Sequence, residues 1–405
     1  MAKLDALDGK NIRVAVVAAG VISPMGFGLA ETLHSLRSGR DCVTPMHRFS
    51  VAQCRCKTAG QIDDNRLFKK SDNGRRAKRL HRSSHMMISA LSEVLDQDRE
   101  FVPEIAVIGT TSGGMSYGQD YYRSLYQRAP QRHSPTLIAN YPPQKPVIDA
   151  LQAFDMSVPC QVIANACASG TNAIGYAFER IRSGQYERVL TGGYDAISEL
   201  VFVGFDSLQA STGEKCRPFD RDRTGMVLGE GAAILALENL ETARARGASV
   251  LAEITGYGIS TDNFHMTQPD PSGTGARQAM TRALDSAQVL ADSIDYVNAH
   301  GTATTFNDAT EGKAISELFG RVPVSSTKSM MGHSLGAAGA IEAIFCLLAL
   351  QHQFLPPNIN FQSPDQDVDL DIVANAARPA RVRSVLSNSF GFGGTNASIV
   401  LQQAA

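Results

Sequence analysis

The chain has 405 residues, is 43% hydrophobic and carries a formal net charge of −2. That length buries a large core, as one big α/β unit or two domains, and the near-neutral balance excludes a whole-chain bias toward nucleic acid or an anionic membrane. Seven cysteines follow no pairing rhythm, and Cys54-Arg55-Cys56 is too tight for a zinc knuckle, so reduced thiols in a cytoplasmic protein are expected. In chain order, strands are expected at 14–18, 105–108, 161–164, 189–191, 232–237, 251–257, 296–299, 382–386 and 397–401. Helices are expected at 29–37, 76–95, 171–182, 274–287, 309–319 and 337–350. This alternation marks an α/β fold. Segments 14–20 and 253–258 each carry a strand into a glycine turn, as if each opens one of two duplicated halves, 1–252 and 253–405. The opening Met1-Ala2-Lys3-Leu4-Asp5 has no apolar secretion core. The most apolar stretch, 337–350, is broken by Glu342 and is read as too short to span a bilayer.

Chemistry concentrates in four places. In Val162-Ile163-Ala164-Asn165-Ala166-Cys167-Ala168-Ser169-Gly170 an apolar run breaks into small residues where a helix begins. A thiol there faces unpaired N–H groups and the positive end of the helix dipole, which is expected to lower its pKa. Tyr296-Val297-Asn298-Ala299-His300-Gly301-Thr302-Ala303-Thr304 is a strand ending in a histidine, with Asp308 and Glu311 opening the next helix. Ser325 to Lys328 leads through Gly332-His333-Ser334-Leu335-Gly336 into the apolar helix. Asn388-Ser389-Phe390-Gly391-Phe392-Gly393-Gly394-Thr395-Asn396 is read as a glycine-rich turn between two strands. Each has a plain explanation alone: a core cysteine, a strand-end histidine, a helix-start histidine, a hairpin. Together they supply a nucleophile, two imidazoles, an ammonium and backbone donors, the set that acyl transfer needs.

With these motifs, and with Arg217-Pro218-Phe219-Asp220 and Gly229-Glu230-Gly231, the chain resembles the elongating, Cys-His-His type of β-ketoacyl-acyl-carrier-protein synthase. The resemblance implies a thiolase-like fold, two α/β halves in a layered α-β-α-β-α architecture, and decarboxylative condensation of an acyl group with malonyl-acyl-carrier protein. Cys167 would hold the acyl chain; His300 and His333 would stabilise the enolate; Lys328 would hold local charge. The backbone N–H groups of Cys167 and Phe392 would form the oxyanion hole, with Phe390, Gly391 and Gly393 completing a gate. Asp308, Glu311 and Glu342 would support the network, and Thr302 and Thr304 would bind the pantetheine arm. Ser112 falls where relatives carry a bulkier acyl-pocket residue. No redox cofactor or catalytic metal is implied; Asn298, Glu342 and Asn388 are candidate ligands of a structural monovalent cation, with a buried hydrogen-bond network as the equal alternative. The implied partners are an acyl-carrier protein and a second subunit, identical or related, with neither nucleic acid nor membrane.

The loop Thr304-Thr305-Phe306-Asn307-Asp308, Cys216 and Arg223-Thr224-Gly225-Met226 depart from the family pattern and leave acyl length and pathway, fatty acid or specialised polyketide, open. Arg66, Lys69, Lys70, Arg75, Arg76, Lys78, Arg79 and Arg82 form a basic run. Such runs are usually solvated faces, but an acidic carrier would dock on one; Arg123, Arg128 and Arg132 are candidates to extend it. Three rival readings remain weaker. A hydrolase elbow at Ser334 lacks its preceding strand, a thiolase lacks a second cysteine within 388–396, and a non-catalytic, pocket-shaping subunit would lack Cys167.

Overall fold

The computed structural model describes residues 12–70, 80–126, 135–365 and 368–404. The first half runs β1 (Val14–Ser23), α1 (Arg82–Gln97), β2 (Ile105–Gly109), α2 (Lys145–Ala153), β3 (Cys160–Ile163), α3 (Ser169–Arg182), β4 (Arg188–Asp195) and β5 (Gly231–Asn239). The second repeats it with β6 (Ala252–Thr261), α4 (Thr274–Ala287), β7 (Tyr296–Asn298), α5 (Thr305–Phe319), β8 (Pro323–Ser325), α6 (Ala338–His352), β9 (Ser384–Gly391) and β10 (Thr395–Gln402). Strand order is the same in both, β1-β5-β4-β2-β3 and β6-β10-β9-β7-β8. In each half the last three strands are parallel and the first two antiparallel. The halves join where Val14, Ala15 and Val16 pair with Ile254, Glu253 and Ala252, and Arg13 bonds Glu253 at 2.6 Å across that seam.

Helices α3 and α6 pack on each other between the two halves of the continuous sheet and touch strands of both, while α1 with α2 and α4 with α5 cover the outer faces. That is the expected α-β-α-β-α layering. It explains the apolar run at the end of the chain. With its leading 3-10 turn, the segment Leu335–His352 is long and apolar enough to cross a membrane, contrary to the expectation from 337–350, yet 89% of it is buried inside the protein. A helix in a central layer has no solvent face, so it is hydrophobic all round. Strand β1 is buried along its whole length for the same reason.

Several boundaries differ from expectation. Helix α1 starts at Arg82, where His81 caps it by accepting from the Ser83 N–H; the expected first turn at 76–79 lies outside the described residues. Strand β4 continues past Thr191 because Gly192 and Gly193 are not a break. A Cβ at Gly192 would lie 2.0 Å from the Ala233 carbonyl oxygen, and one at Gly193 would lie 2.9 Å from that of Gly336, so the strand uses glycine for close approach. Strand β9 likewise runs to Gly391, which leaves only Phe392, Gly393 and Gly394 as the turn. Gly393 and Gly394 take φ of 87° and 79°, a region suited to glycine. The short β8 carried no periodic signal.

Candidate active site

The parallel strands β2, β3, β7 and β8 end on the same side of their sheets, and the loops leaving them carry the candidate residues, as is usual for α/β sheets. Cys167 follows β3 inside the 3-10 turn that enters α3. His300 follows β7, Lys328 follows β8, and His333 precedes the 3-10 turn that enters α6. Cys167, His300, Lys328 and His333 are all buried. One cavity of about 290 Å³ joins Cys167, His300, His333, Thr302, Thr304 and the turn from Phe390 to Gly394.

The two imidazoles meet edge to face with centroids 5.2 Å apart, and Phe390 lies 5.9 Å from His300. Burial first, then the Lys328 ammonium, holds both histidines well below the usual imidazole range, so both are neutral. Nδ1 of His300 and both ring nitrogens of His333 have no hydrogen-bond partner among the described residues. Buried polar atoms left unpaired in this way mark a place where another molecule supplies the partner. The His333 backbone is fixed from both sides, its N–H donating to Val227 at 2.7 Å and its carbonyl accepting from Gly229 at 2.8 Å.

The thiol departs from expectation. Burial pushes Cys167 up to about 12, outweighing the Lys328 ammonium and the N–H groups of Phe392 and Cys167 that act on the sulfur. In the free protein the nucleophile is a neutral thiol; desolvation wins over the helix terminus because Cys167 itself is buried. Iodoacetamide alkylation of Cys167 should therefore climb steadily between about pH 7 and pH 10. A plateau reached below about pH 8 would contradict this.

Carboxylates organise the surroundings. Lys328 donates to Glu342 at 2.6 Å, and burial raises Glu342 against that pull. Glu311 accepts from the N–H groups of His300 and Gly301, both at 2.8 Å, and from Asn388 at 3.1 Å; burial lifts it to about 7 despite these donors. Asp308 accepts from Phe219 at 2.8 Å and Ala303 at 3.1 Å. The departing loop is anchored further by Arg223, which donates to the carbonyls of Thr304 and Thr305. Thr302 and Thr304 bond each other at 2.9 Å on the cavity wall, and Phe306, more than half exposed, borders its mouth. Phe392 stacks on Phe205 at 5.5 Å.

Other candidates land elsewhere. Ser112 donates to Asp195 at 2.6 Å and does not line the cavity. Glu342 Oε2 is buried without a partner among the described residues, while Asn298 Oδ1 accepts from Ser387 and Asn388 Oδ1 from Ser398. In the basic run, Arg66 bonds Glu31 at 2.6 Å and lies over Phe27; Lys69 and Lys70 fall on the helix Asp64–Lys70. Arg75, Arg76, Lys78 and Arg79, with Arg128 and Arg132, lie outside the described residues. Arg82 is not part of a surface patch, because it is sunk against Glu230 at 2.7 Å. Arg123 pairs with Glu199 at 2.7 Å. Sequence reasoning missed Asp195, Phe205 and Asp262, the last a cavity residue that accepts from Asn396 at 2.6 Å. Only Asp195 left a trace, as an acidic residue closing an apolar run.

This architecture, with a buried cysteine and two neutral histidines on one cavity, defines an acyl-transfer enzyme of the thiolase-like class. The chain matches the family models described as beta-ketoacyl synthase, N-terminal domain, over residues 11–243 and beta-ketoacyl synthase, C-terminal domain, over residues 251–362. The chain belongs to the beta-ketoacyl synthase family. It is 36% identical to the 3-oxoacyl-acyl-carrier-protein synthase 2 of a Synechocystis strain, over 96% of this chain and 98% of that one. Among solved structures, the ishigamide ketosynthase/chain length factor superposes with a TM-score of 0.92 at 36% identity, covering 98% of this chain and 100% of that one. A type II polyketide acyl-carrier protein in complex with its ketosynthase bound to the hexaketide matches with a TM-score of 0.88 at 26% identity, over 98% and 100%.

Proposed function

We propose that the protein is a β-ketoacyl-acyl-carrier-protein synthase that extends an acyl chain by two carbons, in fatty-acid or specialised polyketide synthesis. The observation that carries this reading is the buried Cys167 sharing a cavity with two unpartnered neutral imidazoles. Cys167 Sγ attacks the carrier thioester, its proton leaves with the pantetheine thiol, and the N–H groups of Cys167 and Phe392 hold the oxyanion. Malonyl thioester then binds with its thioester oxygen against His300 and His333. The C–COO⁻ bond breaks, CO2 leaves, and the electron pair moves onto that oxygen as an enolate. Neutral imidazoles suit this because the charge exists only once the bond breaks. The enolate carbon bonds the acyl carbon, and Cys167 leaves as thiolate and regains a proton. Burial, helped by Lys328 that Glu342 holds, keeps both histidines neutral; Thr302 and Thr304 line the way in for the pantetheine.

The same reading places Ser112 beneath the acyl pocket and makes Phe390 to Gly393 its gate. It sets the boundary between halves near residue 252. It sees the chain as cytoplasmic and as one subunit of a homodimer, or of a heterodimer like that named for its ishigamide relative. A structural monovalent cation among Asn298, Glu342 and Asn388 stands no higher than the alternative of a buried hydrogen-bond network, to which both amide oxygens already belong through Ser387 and Ser398. The pocket-shaping alternative is disfavoured by the intact nucleophile.

Intact-mass analysis after adding acyl carriers of graded length, then malonyl carrier, tests the reaction. An acyl adduct on Cys167 followed by a 3-oxo product two carbons longer is expected; no adduct from any carrier overturns it. In the same assay, reversing Arg75, Arg76 and Arg79 to Glu should raise the KM for carriers about tenfold or more while sparing alkylation. An unchanged KM removes the docking assignment.

A further inference from the structure

Asp195 closes β4 with no exposure to solvent, and the condensation chemistry does not call on it. Its carboxylate accepts from five neutral donors: Thr110 Oγ1 at 2.8 Å, the Ser112 N–H at 2.8 Å and hydroxyl at 2.6 Å, the Thr111 N–H at 2.8 Å, and the Gly336 N–H at 2.7 Å. Thr111 and Gly336 share Oδ2. A buried carboxylate met by neutral donors costs several kcal/mol in desolvation, so a neutral residue would make a cheaper core.

The duplicated fold shows what the carboxylate replaces. The 3-10 turn Ala166–Ala168 entering α3 corresponds to Leu335–Ala337 entering α6, so Gly336 stands where the other half has Cys167. Strands β4 and β9 also correspond, and they end on Asp195 and Gly391. In one half Gly391 leaves room beside the Cys167 N–H, 3.2 Å from where its Cβ would be. In the other, Asp195 reaches into the equivalent space and binds the Gly336 N–H. The second elbow thus carries its own built-in carboxyl group at the entrance of a helix, and burial raises its pKa against the pull of its donors.

Both elbows are strained, since Ala166 and Leu335 each sit at a φ of 56°, a left-handed conformation unfavourable for residues with a Cβ. Asp195 is linked to both. Gly336 is held directly, and Ala166 is held through Thr111, whose hydroxyl donates to the Ala166 carbonyl at 3.1 Å. A Cβ on Gly336 would lie 2.5 Å from the Thr111 nitrogen, so the crossing tolerates no slack. We infer that Asp195 is a positioning residue for condensation, fixing the Cys167 elbow of one half in register with the His333 elbow of the other. This rests on the proposed reaction, and wild-type protein that forms no 3-oxo product would refute that reaction before Asp195 is in question.

The readout is the ratio of CO2 released to C–C bond formed. In a registered site every enolate meets the acyl-Cys167 carbonyl and the ratio is one. In a misregistered site part of the enolate is protonated by water, giving acetyl carrier, and the ratio rises. Asp195→Asn turns an N–H₂ toward donors that need an acceptor. It should lower 3-oxo product about 100-fold, change acyl loading and malonyl decarboxylation each less than about tenfold, and lift the ratio well above one. Asp195→Glu should recover part of the coupling. Thr111→Val, which severs only the link to Ala166, should raise the ratio in the same direction by a smaller factor and keeps the proposal testable if Asp195→Asn does not fold. A ratio of one in the folded variants, whether all rates fall together or none falls, overturns the assignment.

Discussion

Cys167→Ser is expected to form no detectable acyl adduct and to make 3-oxo product at least about 1,000-fold more slowly, yet still to release CO2 from malonyl carrier within about tenfold of the unaltered rate. The first half follows from the site's electrostatics. Even the thiol is held up to about 12 by burial. A serine hydroxyl starts far higher, and removing a nucleophile that works as a unit with its surroundings costs several orders of magnitude. The second half follows from the division of labour: the imidazoles of His300 and His333 and the Lys328–Glu342 pair do not depend on the sulfur for their hydrogen bonds. Intact mass reads the adduct and isotope-labelled malonyl carrier reads the CO2. Loss of both activities together would mean that decarboxylation needs the acylated cysteine, and the assignment of enolate stabilisation to the histidines alone would fall.

Glu230→Gln has the largest expected effect on stability. The carboxylate has no solvent exposure and takes bonds from Arg48 at 2.8 Å, from Arg82 at 2.7 Å and from the Ile62 N–H at 3.0 Å. Burial alone would raise it, but Arg82 and Arg48 overcome that and hold it down to about 2 from an ordinary 4.5. A glutamine leaves Arg48 without its carboxylate and Arg82 with Asp64 alone, at about 3–5 kcal/mol and a Tm lower by roughly 4–6 °C for a chain of this length. The sign of the pH dependence is fixed by the same shift. Stability from the depressed carboxylate is fully present above about 4.5 and is lost as pH falls toward about 2, about 3 kcal/mol in all. Thermal melts of both forms between about pH 6 and pH 3 should therefore converge at the acid end. Parallel melts would show that the carboxylate's charge is irrelevant. Because Gly229, its neighbour, donates to the His333 carbonyl, the variant should also lose turnover before it unfolds.

Much of the site was legible in the sequence because its chemistry needs particular residue types in short, contiguous stretches. Cys167 before a helix, His300 after a strand and His333 before another helix are local patterns, and local patterns survive being read in one dimension. The alternation of strands and helices and the two openings at Val14 and Glu253 were legible for the same reason. Their order in the sheet was not read from the sequence; the family resemblance implied only the layering.

Tertiary structure decided the rest. Cys167 lies at a helix entrance, as the sequence indicated, but whether that entrance faces water or a closed interior sets the sign of its pKa shift, and enclosure comes from residues far along the chain, Phe392 among them. Arg82 reads as one more cation in a basic run, and only the approach of Glu230, the residue before β5, takes it inside. Glycines 192 and 193 look like a strand break until Ala233 and Gly336 come within reach. Asp195 looks like an ordinary strand-end acid until the other half of the duplicated fold delivers the Gly336 N–H. The sequence by itself determined which groups are the candidates for the chemistry and roughly where each element lies. Burial, charge state and the register between the two elbows depend on contacts between residues distant in the chain, so only the folded molecule decided them.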